Sequence, residues 1–489
     1  MLPNVFQTFI ERSPICVMAH AVLENLFQPE RLDELFERTA QRQYKRTLLF
    51  SSVVELMHSV VLGVEPTVYS AYRKRRHALK VSDQAVYDKL DVMELGLSAA
   101  LVEDSAQQAE AAINALGARR APWLPGYRVR ILDGNHLSAT EHRLEELRTT
   151  WAAPLPGKVL AVLEPETGLA TDVFLTPDGH AQERSLLDEV LARVQKGDVW
   201  IADRNFCTLK FLFEIAKKLG FFLIRQHGTV KGKLCGRRIF KGDGPTGKIY
   251  EQTIEFVYEG KTYKLRRITV ELLQATRDGD TSLHLLTNLP ATISALKVAD
   301  LYRRRWTIET LFLEVTTTLT CEIHTLCYPK AALFVFCLAL VAANAVAVVK
   351  AALRAVHGEE KADELSGYYL ALEVKQVHAG MMIAVPATCW DEIARLETRA
   401  FAKRLKKIAA HVDLEQYRKS SRGPKKPPPK KSRYRNGGHV STHKLLTGDD
   451  PFYEASVVKL RLTFYSWRAT GAPRHAVADV MVLPVRAGP

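Results

Sequence analysis

Apolar positions change their period twice along the chain. Up to about residue 120 they recur at helical spacing, as in Val17-Ala21-Leu23-Leu26 and Leu48-Val53-Val54-Met57, and again from Leu97 to Leu116. Beyond Pro122-Trp123-Leu124-Pro125-Gly126 the period becomes that of strands. Tyr127 to Leu132 alternates and ends at Asp133-Gly134-Asn135. Val159–Leu163 and Leu169–Leu175 follow, joined by the turn 164–168. A helix over about 181–194, a buried strand Val199–Ala202 ending at Asp203, a helix 208–219 and a strand 221–224 complete the run. Strand, strand, strand, helix, strand, helix, strand predicts an α/β layer with a mixed sheet.

From 226 to 290 glycines are frequent and short alternating runs such as Ile254-Phe256-Tyr258 and Tyr263-Leu265-Arg267 predict antiparallel hairpins, a β-rich insertion. Helical periodicity returns at 293–319, over 331–356 and in pieces to about 408. The predicted units are therefore a helical domain (1–120), a first α/β part (121–225), the β-rich insertion (226–290) and a second α/β part with two helices (291–360). C-terminal helices (361–417), a Pro- and Lys-rich mobile tract (418–438) and a tail (439–489) follow.

Ala331 to Val349 has Asn344 as its single polar residue and is long enough to cross a membrane. It is rich in alanine, which adds little insertion energy, and lacks aromatic residues at both ends. A buried core helix is the expectation, with no membrane partner. The N-terminus has neither a basic leader nor a long apolar stretch, so no signal peptide is expected there. Seven scattered cysteines without a C-x-x-C pair point to a reducing, cytoplasmic setting. Cys321, His324 and Cys327 have roughly metal-like spacing but no second ligand pair beside them, which argues against zinc.

The net charge is +14, and it is concentrated. Lys403 to Arg435 holds 13 basic and 2 acidic residues, Arg225 to Arg267 holds 11 and 4, and the remainder sums to −4. Two basic blocks on a nearly neutral body suggest a polyanionic partner, although a solvated face has the same composition. Arg237 and Arg238 lie in one block; Lys425, Lys426, Lys430 and Lys431 lie in the other. Ser82 is placed to cap a helix that follows the basic cluster 72–76. That pattern fits the start of a DNA-reading helix and equally an ordinary surface helix.

Asp133 and Asp203 each close a predicted central strand, the place where open α/β sheets build sites. Tyr302, Arg305, Glu309 and Thr316 fall within roughly 60° on one helix, a stripe that elsewhere is commonly an ion-pair ladder. Taken in order, these blocks resemble the DDE transposases of bacterial insertion sequences, in the insertion-sequence-four family with the Y-x2-R-x3-E-x6-K signature. Tyr302 to Glu309 matches its Y-x2-R-x3-E part. Leu132-Asp133-Gly134-Asn135 and Ala202-Asp203-Arg204-Asn205-Phe206 resemble the blocks around its two aspartates, and Thr287-Asn288-Leu289 the strand before its glutamate helix. The resemblance spans about 40–360. Thr316 stands where the signature has lysine, and no tryptophan lies between 204 and 305 to act as a base-holding wedge.

The resemblance implies a ribonuclease-H-like mixed sheet with a β-rich insertion, between a helical DNA-binding domain and a helical, partly disordered C-terminal region. It implies Asp133, Asp203 and Glu309 as catalytic ligands of two Mg2+ ions (Mn2+ as substitute), with no small-molecule cofactor. Tyr302, Arg305, Arg303 and Arg304, and the basic-block residues, would contact DNA. The implied partners are double-stranded DNA, as inverted repeats and target, and a second copy of the chain in the DNA complex. The implied reaction is metal-dependent cleavage and strand transfer, often through a hairpin in members with such an insertion. The implied location is the bacterial nucleoid. Three competing classes remain: a catalytically decayed DNA binder, favoured by Thr316; a structure-selective nuclease on the same scaffold; and a membrane-associated protein resting on 331–349 alone.

The charge distribution yields a direct expectation. Deleting 418–438 should weaken DNA binding nearly equally for all sequences and flatten its salt dependence, by roughly 0.9 in the log–log slope for each phosphate no longer neutralised. Loss of sequence discrimination at an unchanged salt slope would contradict it.

Overall fold

A computed structural model describes residues 4–42, 47–148, 150–276, 279–420, 438–448, 458–466 and 474–482. Lys425, Lys426, Lys430, Lys431 and most of the Pro/Lys-rich tract lie outside them. Between Asn4 and Ala115 the described chain is helical throughout, ending in the 21-residue helix Leu95–Ala115. Ser82 caps the helix Asp83–Asp91, accepting from the Ala85 N–H at 3.2 Å.

The sheet contains β1 (Arg128–His136), β3 (Lys158–Glu164), β4 (Leu169–Thr176), β5 (Asp198–Ala202), β6 (Phe221–Arg225), β7 (Lys233–Gly244), β8 (Gly247–Tyr258), β9 (Lys261–Leu272) and β10 (Ser282–Thr287). Their order is β4-β3-β1-β5-β6-β10-β9-β8-β7. β4, β3 and β1 are antiparallel, β1, β5 and β6 parallel, and the rest antiparallel outward from β6. The architecture is thus mixed α/β. The β-rich segment pairs onto β10 and extends the same sheet to nine strands.

Side-chain parity along the central strands explains their nearly unbroken apolar sequences. Val129, Ile131, Val159, Ala161, Val199, Ile201 and Leu223 face one core, shared with the helices 95–115 and 329–357. Leu132, Leu160, Val162, Trp200, Ala202, Phe222 and Ile224 face a second core on the other side, with Leu187, Phe211 and Ile215. Both faces are covered, so both parities are apolar.

Three expectations need correcting. β1 does not stop at Asp133: its antiparallel partner β3 continues to His136↔Lys158, whereas the parallel pairing with β5 ends at Ile131↔Ile201. The helix read over 293–319 is two, Ala295–Arg303 and Thr307–Thr318, separated by a tight turn Arg304–Trp306. There the Thr307 hydroxyl donates to the Arg304 carbonyl at 3.0 Å, taking an acceptor from the helical ladder. The C-terminal region is not wholly helical. β11 (His439–Ser441) pairs in parallel with β2 (Ala153–Leu155), and β12 (Val458–Ser466) pairs antiparallel with β13 (Arg474–Val482). Leu460, Leu462 and Phe464 alternate in sequence within a segment read only as a tail.

The long apolar helix is Pro329–His357, and 89% of its most apolar window is buried inside the protein. It packs on the helix 95–115, on β4 and beside Thr307–Thr318. Asn344 is fully buried; its Oδ1 accepts from the Ala170 N–H at 2.8 Å and its Nδ2 donates to the Ala170 carbonyl at 3.0 Å. The amide thereby pairs with the outer edge of β4, the terminal strand, in place of another strand. Asn344→Ala should therefore cost about 2–4 kcal/mol, because two buried backbone groups lose their partners. Chemical denaturation would measure this, and an unchanged midpoint would refute the role.

Candidate active site

Register places the two aspartates side by side. β1 and β5 pair from Arg128↔Asp198 to Ile131↔Ile201, and Asp133 and Asp203 both lie two residues past the last pair. They share the parity of Ile131 and Ile201, the face on which Ile308, Phe312 and Val315 of the helix Thr307–Thr318 pack. Two residues 70 positions apart in sequence are thus set abreast at the carboxyl end of the parallel strands.

Arg305 links Asp133 to Glu309. Its Nη1 donates to Asp133 Oδ2 at 2.5 Å and its Nη2 to Glu309 Oε1 at 2.8 Å. The Arg305 side chain is 10% exposed, against 17% for the Asp133 side chain and 39% for that of Glu309. Asp133 Oδ1 accepts from the Gly134 N–H at 2.9 Å, and Asp203 Oδ1 accepts from the Asn205 N–H at 2.7 Å. Burial pushes the Asp133 carboxyl up to about 6. Arg305 and the Gly134 N–H oppose that rise; Asp203 and Glu309 add to it. Tyr302 is buried beside them, its phenol pushed up to about 12 by burial and by the Asp203 charge, against the pull of Arg305.

Two donors at this site have no hydrogen-bond partner among the described residues: Nε of Arg305 and Nδ2 of Asn135. Asn135 shares the parity of Asp133 on β1; it is not among the residues singled out from the sequence, although strand spacing is a signal that could have found it. Glu183 is a further carboxylate nearby, pushed up by burial first and by the Asp203 charge second. It carries no sequence signal, because only the docking of the turn Glu183–Leu186 brings it there.

The remaining candidates are placed differently. Arg303 and Arg304 both pair with Asp300, at 2.7 and 2.9 Å, and Arg304 stacks on Trp123 at 5.5 Å. Arg237 and Arg238 are exposed on β7, the far edge strand, where Arg238 pairs with Glu271 at 2.7 Å over the Tyr250 ring. The Thr316 hydroxyl donates to the Phe312 carbonyl of its own helix at 2.8 Å. The Cys327 thiol donates to the Glu141 carbonyl at 3.0 Å, and a His324 ring nitrogen lies 2.9 Å from the Ala139 carbonyl. A cleft of about 840 Å³ lies elsewhere, among His20, His58, His378 and Trp390 of the helical regions.

Among the described residues no three His, Cys, Asp or Glu side chains stand close enough to hold a metal ion. The donor set nevertheless suits a hard divalent cation in kind. It is carboxylate oxygen alone; burial and then mutual repulsion raise Asp133, while one guanidinium bridges two of the three groups.

Residues 124–344, a little under half of the chain, match the family model described as the transposase DDE domain. A protein of Sinorhizobium fredii provisionally named transposase y4zB is 34% identical over 125 residues, 24% of this chain. The chain spans 33% of that relative's length. A cryo-EM structure of the piggyBac transposase synaptic complex with hairpin DNA aligns over 86% of this chain and 88% of that one. It does so at 10% identity and a TM-score of 0.39, too loose a likeness to carry an argument. The domain match and the relative support a DDE transposase, and the match encloses Asp133, Asp203 and Glu309.

Arg305→Ala should leave Asp133 and Glu309 without their shared cation and destabilise the metal-free protein by about 1–3 kcal/mol, discounted for the exposure of Glu309. Denaturation with and without Mn2+ tests both halves: the variant should regain more stability from the ion than wild type does. Equal gains would mean that the guanidinium and the ion do not compete for these carboxylates.

Proposed function

We propose that this chain is a DDE transposase of the insertion-sequence-four type, which binds the terminal inverted repeats of its element and catalyses DNA cleavage and strand transfer. The observation that carries the reading is the Asp133–Arg305–Glu309 link beside Asp203, inside the matched domain. The strand order, three antiparallel strands followed by two parallel ones, supports the ribonuclease-H-like description of the scaffold.

Asp133, Asp203 and Glu309 are the residues that would hold Mg2+. A bound pair of divalent ions supplies positive charge to the attacking and leaving oxygens of an in-line phosphoryl displacement. The chain's own groups do the rest. The Nε of Arg305 and the amide of Asn135 are free to donate to phosphate oxygens of the DNA end. The Tyr302 hydroxyl is held in its neutral, donating form. The rigid β1–β3 pairing through Asp133 limits its movement as DNA enters. The basic face of β7–β9 and the C-terminal basic block would track phosphates without reading sequence, and two chains would pair two ends.

A second reading, a decayed transposase retained for DNA binding, is favoured by Thr316. Its hydroxyl is committed to its own helix, and the neighbouring Arg303 and Arg304 are paired with Asp300. One Mg2+ assay on the element's own ends separates the two. Wild type should cut and join, and Glu309→Ala should bind ends but do neither. Thr316→Lys should speed cleavage roughly tenfold if phosphate holding limits the rate, since a charged hydrogen bond contributes about 1.5–3 kcal/mol. Equal inertness of wild type and Glu309→Ala would favour the binder. Cleavage by Glu309→Ala would exclude the three-carboxylate mechanism.

A further inference from the structure

Two helices follow one another in the helical domain, Val68–Leu79 and Asp83–Asp91. The second, which its Ser82 cap offers as a DNA-reading helix, is poorly suited to phosphate. It carries Asp83, Asp88 and Asp91 against the single cation Lys89. The Lys89 ammonium sits over the Phe36 ring at 4.5 Å, and the Gln84 amide donates to Asp88 at 2.7 Å. An acidic helix with its polar groups engaged repels a polyanion.

The first helix is different, for it holds no acidic residue. It follows the helix Phe50–Val61 through a turn at Gly63, where φ is +68°. Val68, Ala71, Tyr72 and Leu79 bury its inner face. Two of its cations are engaged, Lys74 with Glu65 and Arg75 with Glu55 at 2.6 Å. Arg73, Arg76 and the C-cap residue Lys80 are exposed, and among the described residues they enter no ion pair or side-chain hydrogen bond. Tyr69, Arg73 and Arg76 stand at i, i+4 and i+7, within roughly 60° of one another, and Lys80 continues the run at the cap. Lys80 has φ +53°, a conformation in which helix ends favour glycine. It also stands four residues after Arg76, where like charges repel. Cations that are unpaired and mutually repelling, in line with a tyrosine ring that is 49% exposed, have the composition of a surface for a nucleic-acid backbone.

We infer that the outer stripe Tyr69-Arg73-Arg76-Lys80, and not the helix Asp83–Asp91, is the surface by which the helical domain contacts duplex DNA. The three cations meet phosphates, and the Tyr69 hydroxyl is a further phosphate donor. The inference deepens the DNA-binding part of the function proposed above and rests on it.

The test measures binding of the full-length protein by fluorescence anisotropy across a salt series. The probes are duplexes carrying the element's own ends and scrambled duplexes of the same length. The variants are the triple Arg73→Ala, Arg76→Ala, Lys80→Gly, the single Lys80→Gly, and Gln84→Ala. The triple should fold, since its three side chains have no partners to lose, alanine favours helix and glycine relieves the cap. Its log–log salt slope should be shallower by about 2.7, from roughly 0.9 for each of three phosphates. A fourfold rise in salt should then cost wild type about 40-fold more affinity than it costs the triple, equally on both duplexes. Lys80→Gly alone should raise the denaturation midpoint and make the slope shallower by about 0.9. Gln84→Ala should bind as wild type does.

An unchanged slope in the triple would make the stripe a solvated face and overturn the inference. Lost discrimination between the two duplexes at an unchanged slope would do the same, as would weaker binding by Gln84→Ala with the triple unaffected. In each of these cases wild type still binds DNA, so the DNA-binding reading survives. If the triple unfolds, Lys80→Gly decides: a raised midpoint with an unchanged slope overturns the inference. If wild type binds neither duplex at low salt, the DNA-binding reading itself fails and takes the inference with it. Absence of cleavage by wild type leaves the slopes as the deciding measurement.

Discussion

The Arg305 guanidinium reaches back across 172 residues of sequence to hold Asp133 on a central strand, and at the same time holds Glu309 on its own helix. Without it, two carboxylates would face each other at the end of a sheet with no countercharge in the metal-free protein, and Asp203 would add a third. Breaking a partly buried pair of this kind costs more than forming it contributes, because the stranded charge keeps its desolvation penalty. No three His, Cys, Asp or Glu side chains among the described residues stand close enough to hold a metal ion.

That guanidinium lies in the tight turn Arg304–Trp306, four residues before Glu309. Arg305 is buried there and Trp306 is left 62% exposed at the surface. Asp300 fastens the other two arginines of the run, so that three neighbouring cations have separate duties. The helix itself is backed by Pro329–His357, whose Asn344 fixes the outermost strand of the sheet through two hydrogen bonds. The chain of support runs from a buried amide at one edge of the sheet to the carboxylates near its middle.

Local signals in the sequence identified most of the elements. The apolar run 199–202 foretold a buried strand, and Asn344 alone in an apolar run foretold a buried, hydrogen-bonded amide. Asp133, Asp203 and Glu309 were legible because strand ends and helix stripes are local features and because the blocks around them resemble a known family. Less was legible in the C-terminal region, where a short strand joins β2 across nearly 300 residues, a pairing with no local cause.

By itself the sequence determined the periods, the caps, the basic blocks and the residue types of the candidate site, since each depends on neighbours within a few positions. Only the tertiary structure decided which groups meet. The common offset of 70 residues between β1 and β5 sets the two aspartates abreast, and the docking of two tight turns brings Glu183 against Gly134. Arg305 is committed to Asp133 and Glu309 while Arg303 and Arg304 turn to Asp300. Those outcomes depend on register, handedness and the space beside a missing Cβ, which are properties of packed elements rather than of any segment of sequence.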